Sequence, residues 1–292
     1  MMKITVDNII LTARPRVMDR CVRMVGEAML RNGLPIPRAV YHAQERIWTC
    51  GQDCILEPQQ YSSLLSSLLP VARSCGAAVA VRRSSSAAAV RAVAFDLDST
   101  LIRCEFMNLL ARERGVSGKV DILTEKAMDG EMDFSESYRH RLALIAGLPV
   151  TVAQKLIDSV PITPGAGELL TALSAQDCAT ALISGGYLRL GEHIQRKLRM
   201  DFLYTSDLEE RNGCLTGRIN GRLLDSYGKA AALEDFCRRC DCSPMECAAV
   251  GDGANDIPML AEAGKAVLYC STPSCPEGFQ PIGIILRYLS RL

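Results

Sequence analysis

The chain has 292 residues, of which 48% are apolar and 23% charged, a profile typical of a globular protein of up to two domains. Lys plus Arg and Asp plus Glu both total 33, so the net charge gives no argument for a nucleic acid or an anionic membrane as partner. No apolar run approaches the ~20 residues of a spanning helix, and Asp7 and Asn8 interrupt the first apolar run too early for a secretory signal. We therefore expect a cytoplasmic protein with no nucleic-acid and no membrane partner.

Residues 1–83 alternate between strand and helix patterns and contain no catalytic motif. If residues 38–56 form a hairpin, the element order is βαββαβ, that of a ferredoxin-like sandwich. We expect a small α+β domain that regulates the protein or forms a homodimer. The predicted strands are residues 4–12, one or two within 38–56, and 77–81, and the predicted helices are residues 16–31 and 60–75.

Residues 84–91 are small and polar, which is typical of a linker. Strands and helices alternate over residues 92–292, which predicts an α/β domain with a parallel sheet and helices on both faces. The pair Asn212-Gly213 separates residues 203–210 from residues 214–219 and is a strong signal for a β-hairpin.

A region without a convincing strand covers about residues 104–160. Asp133 and Glu136 have capping-box spacing, and Gly147 is typical of a helix end. Such a helical insertion is well placed to act as a lid or cap over a site at the preceding strand end. The predicted helices here are residues 123–128, residues 135–145 and one that starts at Thr151.

The run Asp96-Leu97-Asp98-Ser99-Thr100 follows the predicted strand at residues 90–95. Open α/β sheets bind ligands at the carboxyl ends of their strands, where these two carboxylates would lie. One carboxylate is suited to act as a nucleophile and the other as a general acid and base. By itself the pair is weak evidence, because many surface loops contain one.

Ser184-Gly185-Gly186 follows the predicted strand at residues 179–183. A hydroxyl followed by two glycines can bring side-chain and backbone donors close to a phosphate, although a simple turn has the same pattern. Lys229 stands at the start of a predicted helix, residues 230–239, where a cation can meet phosphate oxygens. A solvated surface lysine is the alternative.

The run Gly251-Asp252-Gly253-Ala254-Asn255-Asp256 follows the predicted strand at residues 247–250. Two glycines permit an unusual backbone, and two carboxylates and an amide gather in one turn. Such hard oxygen ligands suit Mg²⁺. The run is too short for a calcium loop and lacks the distal Glu.

The order of these four motifs resembles the haloacid dehalogenase superfamily, from about residue 92 to the C-terminus. Within it the chain is similar to the phosphoserine phosphatase family, including positions in the helical insertion. The resemblance implies a HAD-like Rossmannoid core with a helical cap inserted after the first motif. The matching residues are Asp96 to Ile102, Glu105, Thr124 to Gly130 and Asp133 to Arg141.

For the catalytic residues, the resemblance implies that Asp96 is the nucleophile, forming an aspartyl phosphate. Asp98 would protonate the leaving oxygen and then activate water. Mg²⁺ would be held by Asp96, the backbone carbonyl of Asp98, and Asp252, and Asp256 would orient Lys229 or a metal-bound water. The residues implied to bind the phosphate are Ser184, Gly185, Lys229 and Asn255.

For the substrate, the resemblance implies O-phospho-L-serine, hydrolysed to serine and phosphate as the last step of serine biosynthesis. Glu105 would accept the ammonium group and Arg141 would hold the carboxylate. Met128 and Phe134 would cover the apolar part, and Gly186 would add a backbone contact.

Several alternatives remain open from the sequence. Glu105 has the position of a helix-start charge that the helix dipole favours. The substrate could be another small phosphomonoester, such as phosphothreonine or phosphohomoserine, in a phosphatase or a phosphotransferase. In a third hypothesis, residues 1–83 resemble the ACT domains of some relatives and sense an amino acid.

Thirteen cysteines, with no signal peptide, are expected to be reduced thiols. Cys237 and Cys240 have metal-like spacing within a group that also contains Cys242 and Cys247. Structural zinc needs four converging ligands and no His is near, so buried free thiols are favoured.

Overall fold

The computed structural model describes residues 3–269, except for residues 14, 37, 44–46, 85–88 and 129–130. Within this part of the chain, no helix is long and apolar enough to cross a bilayer. The strands are β1 (Ile4–Thr12), β2 (Arg38–His42), β3 (Ile47–Leu56), β4 (Ala78–Arg83), β5 (Ala92–Phe95), β6 (Ala179–Ser184), β7 (Phe202–Thr205), β8 (Asp207–Arg211), β9 (Cys214–Asn220), β10 (Cys247–Gly251) and β11 (Lys265–Tyr269). The helices are α1 (Pro15–Arg31), α2 (Pro58–Cys75), α3 (Phe106–Arg114), α4 (Ser117–Met128), α5 (Phe134–Leu144), α6 (Val150–Ser159), α7 (Ala166–Ser174), α8 (Leu188–Leu198), α9 (Ser226–Arg239) and α10 (Ile257–Glu262).

One continuous sheet runs through the molecule in the order β2-β3-β1-β4-β11-β10-β5-β6-β7. The strands from β11 to β7 are parallel, whereas those from β2 to β4 are antiparallel. The two halves join where β4 pairs antiparallel with β11, from Arg82 opposite Lys265 to Ala78 opposite Tyr269. The predicted α/β class is confirmed, and the sheet as a whole is mixed.

The N-terminal elements follow in the order strand, helix, strand, strand, helix, strand, in agreement with the expected pattern. In β4, Ala78 to Val81 are all buried, because β4 lies inside the sheet between β1 and β11 and α2 packs against it. One apolar cluster includes Leu65 and Leu68 of α2 together with Phe236 of α9 and Leu260 of α10. The N-terminal region therefore shares its core with the rest of the chain.

The predicted linker, residues 84–91, connects these halves, and residues 85–88 lie outside the described residues. A division into two domains at this point stays a prediction, as does the regulatory or dimerising role of residues 1–83. Because β4 pairs directly with β11, no solvent separates the N-terminal region from the rest of the chain at this junction.

The parallel strands consist of short runs of small and β-branched residues, such as Ala92 to Phe95 in β5, and these are fully buried. Strands covered by helices on both faces lose the alternation of polar and apolar residues. Because β5, β6 and β10 are parallel neighbours, their carboxyl ends meet at one edge of the sheet. Each of the predicted strand-end motifs is therefore brought to that edge.

Helices α3 to α6 form the predicted helical insertion. Asp133 caps α5, and its carboxylate accepts hydrogen bonds from the backbone N–H groups of Ser135 and Glu136 at 2.9 and 3.3 Å. The insertion is tied to the hairpin of β8 and β9, because the Gly147 N–H donates to the Leu215 carbonyl at 2.8 Å. Its function as a cap stays a prediction.

The hairpin turn at Asn212 and Gly213 agrees with the prediction, and both residues have positive φ, 52° and 75°. The predicted strand at residues 203–210 is wrong as a single element, since β7 ends in the main sheet and β8 begins in the hairpin. Ser206 stands between them, and its buried hydroxyl accepts a hydrogen bond from the Leu224 N–H at 2.8 Å. At this residue the chain leaves the main sheet.

Candidate active site

All four polar motifs reach one cavity of about 760 Å³ at the carboxyl edge of the parallel strands. The helical insertion also lines the cavity, through residues of α3, α4 and α5. The predicted site residues that line it are Asp96, Asp98, Glu105, Arg141, Ser184, Gly185, Gly186, Lys229, Asp252 and Asn255. Asp256 is fully buried behind them.

Lys229 bridges two carboxylates at the back of the site. Its Nζ donates to Asp96 Oδ1 at 2.5 Å and to Asp256 Oδ1 at 2.6 Å. Asp225 caps α9 by accepting a hydrogen bond from the Gly228 N–H at 2.8 Å, which puts Lys229 in the first turn of this helix. The residue is only 1% exposed, so the solvated-surface alternative is excluded. Burial favours the neutral amine, but the two carboxylates outweigh it and raise the pKa of Lys229.

The buried carboxylates repel one another. Burial and then the charge of Asp256 raise the pKa of Asp96 to about 7, although Lys229 opposes this shift. Burial, followed by the neighbouring Glu105 and Asp96, raises the pKa of Asp98 well above its usual value. Burial and the charge of Asp96 do the same for Asp252. A divalent cation would relieve this repulsion.

The donor set fits such a cation. Carboxylate oxygens of Asp96, Asp252 and Asp256 lie within 4.8 Å of one another. Both oxygens of Asp256 already accept hydrogen bonds, Oδ1 from Lys229 and Oδ2 from the N–H groups of Asp252 and Gly253 at 3.1 and 2.9 Å. Asp96 and Asp252 are thus the carboxylates available to a metal ion. Asp256 was predicted to orient either Lys229 or a metal-bound water, and its contacts favour the role of orienting Lys229.

The turn after β5 aims Asp98 into the cavity. Ser99 has a φ of 53°, in the left-handed region that non-glycine residues rarely adopt. Asp98 Oδ1 accepts a hydrogen bond from the Phe106 N–H at 2.7 Å, at the start of α3. The Ser99 hydroxyl donates to Glu105 Oε1 at 2.7 Å. The first motif and the start of the helical insertion are therefore locked to each other.

The loop after β6 depends on glycine for its close approach to other segments. A Cβ on Gly185 would lie 2.8 Å from the Leu224 carbonyl oxygen. A Cβ on Gly186 would lie 3.1 Å from the Ser184 Oγ and 3.6 Å from Asp98 Oδ2. The Gly186 N–H donates to the Ser184 Oγ at 3.0 Å. Gly186 thus lies close to Asp98, and Ser184 lines the same cavity. Phosphate binding by this loop and Asn255 stays a prediction.

Glu105 and Arg141 both line the cavity on the side of the helical insertion. The Arg141 guanidinium lies 5.7 Å from the centre of the Tyr138 ring, and its Nε donates to the Ser137 carbonyl at 3.4 Å. Burial lowers the pKa of Arg141, although Tyr138, Glu105 and Asp98 oppose this shift. By contrast, Arg139 is exposed. The choice of Arg141 over Arg139 therefore agrees with where the two side chains lie.

Met128 ends α4 and Phe134 begins α5, but their side chains lie outside the described part of the structure. Their predicted contact with the apolar part of a substrate stays a prediction. The cysteines that the structure describes are all free thiols. Across the described ranges, the acidic group is the one set of three or more converging metal ligands, so the zinc alternative at Cys237 and Cys240 has no support.

The cavity lining includes residues to which the sequence interpretation gave no role, among them Arg73, Thr124 and Tyr138. Thr124 and Tyr138 lie on α4 and α5 within the matched stretches and could have been found from their position on helix faces. Arg73 belongs to α2 of the N-terminal region. It is 179 positions from its hydrogen-bond partner Asp252, and no local pattern indicates that contact.

The fold and the site together define a known class of hydrolase. The family model described as haloacid dehalogenase-like hydrolase matches residues 90–264, more than half of the chain. The chain belongs to the haloacid dehalogenase-like hydrolase family.

Several similar proteins within this family are described as phosphoserine phosphatases. The chain is 40% identical over 187 residues to phosphoserine phosphatase SerB2 of Mycobacterium tuberculosis, covering 64% of this chain and 46% of that protein. It is 40% identical over 179 residues to the phosphoserine phosphatase of Archaeoglobus fulgidus, covering 61% of this chain and 52% of that protein. The chain thus spans about half the length of these two curated relatives. A solved structure described as a phospho-aspartyl intermediate analogue of phosphoserine phosphatase has a TM-score of 0.57 and 34% identity, covering 61% of this chain and 85% of that one.

Proposed function

We propose that the protein hydrolyses O-phospho-L-serine to L-serine and phosphate, with Mg²⁺ as cofactor and an aspartyl phosphate as intermediate. The observation that carries this proposal is the Asp96–Lys229–Asp256 bridge, which shares one cavity with Asp98, Glu105 and Arg141. The similarity to phosphoserine phosphatases over the catalytic region supports the substrate. In the cell, this reaction would be the last step of serine biosynthesis.

In the first step, an Asp96 carboxylate oxygen attacks phosphorus, and the bond between phosphorus and the serine oxygen breaks. The serine oxygen leaves with the bonding electrons and takes a proton from Asp98. A general acid must hold a proton when the reaction begins, and burial together with the neighbouring negative charges raises the pKa of Asp98, which favours its protonated form. Its hydrogen bond from the Phe106 N–H fixes the other carboxylate oxygen, so that the acid has one orientation.

In the second step, the now ionised Asp98 takes a proton from water, whose oxygen attacks phosphorus. The bond between phosphorus and Asp96 breaks, and Asp96 leaves as a free carboxylate. The site thereby returns to its starting protonation state. Two displacements need both a nucleophile and a separate proton carrier, which Asp96 and Asp98 provide.

Phosphoryl transfer depends mainly on positioning and charge neutralisation. Lys229 offsets the negative charge of Asp96 and of the transferring phosphoryl group, and Asp256 holds the lysine in place. Mg²⁺ would be held by Asp96, Asp252 and the backbone carbonyl of Asp98. When bound, it would reduce the repulsion between an anionic nucleophile and an anionic substrate. Ser184, Gly185 and Asn255 would hold the remaining phosphate oxygens.

Selectivity for an amino-acid phosphomonoester such as phosphoserine rests on two charges in the helical insertion. Glu105 complements the substrate ammonium, and Arg141 complements its carboxylate. Both line the cavity close to the acidic pair, and Ser99 orients the Glu105 carboxylate. A phosphomonoester that lacks an amino-acid end would leave both charges unpaired, which costs binding free energy.

The experiment is a substrate panel with Mg²⁺ that contains phosphoserine, phosphothreonine, phosphohomoserine and an aryl phosphate. We expect wild type to prefer phosphoserine. Arg141→Ala should lower kcat/KM for phosphoserine by about 100-fold, because a charge-assisted contact is lost, and for the aryl phosphate by less than about 10-fold. Arg139→Ala is the matched control, since this arginine is exposed, and it should change neither value.

Equal losses on both substrates in Arg141→Ala would favour a phosphatase or phosphotransferase for another phosphomonoester. Good hydrolysis of another ester by wild type, with no phosphate released from phosphoserine, would contradict the proposed substrate.

A further inference from the structure

Arg73, near the end of α2 in the N-terminal region, reaches the loop that carries Asp252. Its Nε donates to the Asp252 backbone carbonyl at 3.1 Å. Its terminal Nη2 lies 3.8 Å from Asp252 Oδ2. Of the cavity-lining residues that the structure describes, Arg73 is the one that comes from the N-terminal region. A residue outside the matched family region thus contacts a proposed metal ligand.

The Asp252 peptide is held from two directions. Its N–H donates to Asp256 Oδ2 at 3.1 Å, whereas its carbonyl accepts from Arg73. Glycines stand on both sides of it, and a Cβ on Gly251 would lie 2.7 Å from the Asp256 side chain. Glycine allows the backbone more conformations than any other residue, so such a loop needs contacts from outside to keep one geometry.

A second arginine of the N-terminal region holds the far end of the helix that follows this loop. Arg83 of β4 is buried, and its Nη1 donates to the Ala261 and Glu262 carbonyls of α10 at 3.2 and 3.4 Å. Charged donors at the last carbonyls of a helix satisfy acceptors that have no partner within the helix. Because α2 also packs on α10, the loop and its helix rest on the N-terminal region.

We infer that Arg73 is a positioning residue for the metal-binding loop, and that the N-terminal region thereby sets the affinity of the site for Mg²⁺. This inference rests on the proposed metal site. Arg73 would act through Asp252, by fixing the direction in which the loop presents its carboxylate. Groups that orient metal ligands in this way change metal affinity by about 10- to 100-fold when they are removed.

Arg73 has two opposing effects on Mg²⁺ binding, and their relative sizes decide whether its loss weakens or strengthens that binding. Its positive charge repels a nearby cation, but the side chain is 43% exposed, so solvent and salt screen this repulsion. The hydrogen bond from Nε acts on Mg²⁺ binding only by holding the Asp252 backbone in place, and screening by solvent and salt does not weaken this effect in the same way. We therefore expect positioning to outweigh repulsion, so that loss of Arg73 weakens Mg²⁺ binding.

The test is calorimetric titration of the full-length, metal-free protein with MgCl₂ in the absence of substrate. Arg73→Met should raise the Mg²⁺ dissociation constant by about 10-fold. Arg73→Lys keeps the charge but has no Nε donor at that position, so it should also bind more weakly than wild type. Arg31→Met is the matched control, because Arg31 makes only an exposed ion pair with Glu27 on α1. It should bind Mg²⁺ as wild type does.

Steady-state kinetics supplies a second readout. In Arg73→Met, the Mg²⁺ concentration for half-maximal activity should rise by the same factor, whereas kcat at saturating Mg²⁺ should return to within about 2-fold of wild type. Equal or tighter Mg²⁺ binding by Arg73→Met would overturn the inference alone. Absence of Mg²⁺ binding by wild type would overturn the proposed metal site and the inference with it.

Discussion

The parallel and antiparallel halves of the sheet use their strands differently. Strands β5, β6 and β10 each end in a polar motif, and these ends meet at one edge. The antiparallel strands β1 to β4 alternate in direction, so their ends are spread over both edges. Chemistry therefore concentrates on the parallel half, while the antiparallel half contributes core packing and one arginine at the cavity. The four predictions below test this division, from the largest expected effect to the smallest.

Asp96→Asn should remove the nucleophile and lower kcat on phosphoserine by about 10⁴-fold or more, because an amide cannot form the acyl phosphate. Phosphate release measures this loss, and thermal unfolding checks that the variant is folded. Asp19→Asn is the control, since Asp19 is an exposed carboxylate on α1. It should keep full activity. Substantial activity in Asp96→Asn would show that the nucleophile is not Asp96 at the end of β5.

Leu65→Ala should lower the free energy of unfolding of the whole molecule by about 3 kcal/mol, because it leaves a cavity in the shared core. The measurement is calorimetry of wild type and variant. We expect one transition that moves as a unit, since the sheet and the core are continuous. Leu30→Ala removes a leucine that is 54% exposed and should change stability little. Two transitions, with only one shifted, would mean that the halves unfold independently.

Gly217→Ala should destabilise the contact between the β8–β9 hairpin and α5. Its φ is 77°, and a Cβ would lie 2.9 Å from the Ala146 Cβ and 3.0 Å from the Ala143 Cα. Gly213→Ala is the matched control, with a φ of 75° but open space around the Cβ. Both variants should lose about 1 kcal/mol from backbone strain, and Gly217→Ala about 1 kcal/mol more from the clash. Urea unfolding measures both, and equal losses would mean that the hairpin is not held tightly against α5.

Asp252→Asn should stabilise the metal-free protein by about 1–2 kcal/mol at pH 8, because it removes a carboxylate that repels its neighbours. The raised pKa of Asp252 means that the folded state holds a proton which the unfolded chain releases near pH 4. The free energy of unfolding of wild type therefore falls as the pH rises from about 4. The stability difference in favour of Asp252→Asn grows until the pH exceeds the pKa of Asp252 in the folded state.

The measurement is the melting temperature in EDTA and in MgCl₂ at several pH values. Wild type should gain stability from Mg²⁺, whereas Asp252→Asn should gain little. A variant less stable than wild type in EDTA at pH 8 would show that the carboxylate contributes more by its ion pair with Arg73 than it costs by repulsion.

Local patterns were sufficient for most of the secondary structure. The strands before Asp96 and Ser184 and the one before Asp252 lie where apolar runs predicted them, because a buried parallel strand is marked by its own short apolar sequence. The hairpin at Asn212 was also predictable, since positive φ at two adjacent residues favours Asn-Gly. The break at Ser206 was missed, because the local pattern continues through it and the hydrogen-bond partner of Ser206, Leu224, lies 18 positions away.

The sequence by itself determined the α/β class, the three strand-end motifs, the lysine at a helix start and the family, since each depends on residues close together in the chain. Only the tertiary structure decided that Lys229 is buried between Asp96 and Asp256, that β4 joins β11, and that Arg73 reaches Asp252. These contacts join segments far apart in sequence. Their energy comes from burial and charge pairing that exist only after the chain has folded, so no local pattern records them.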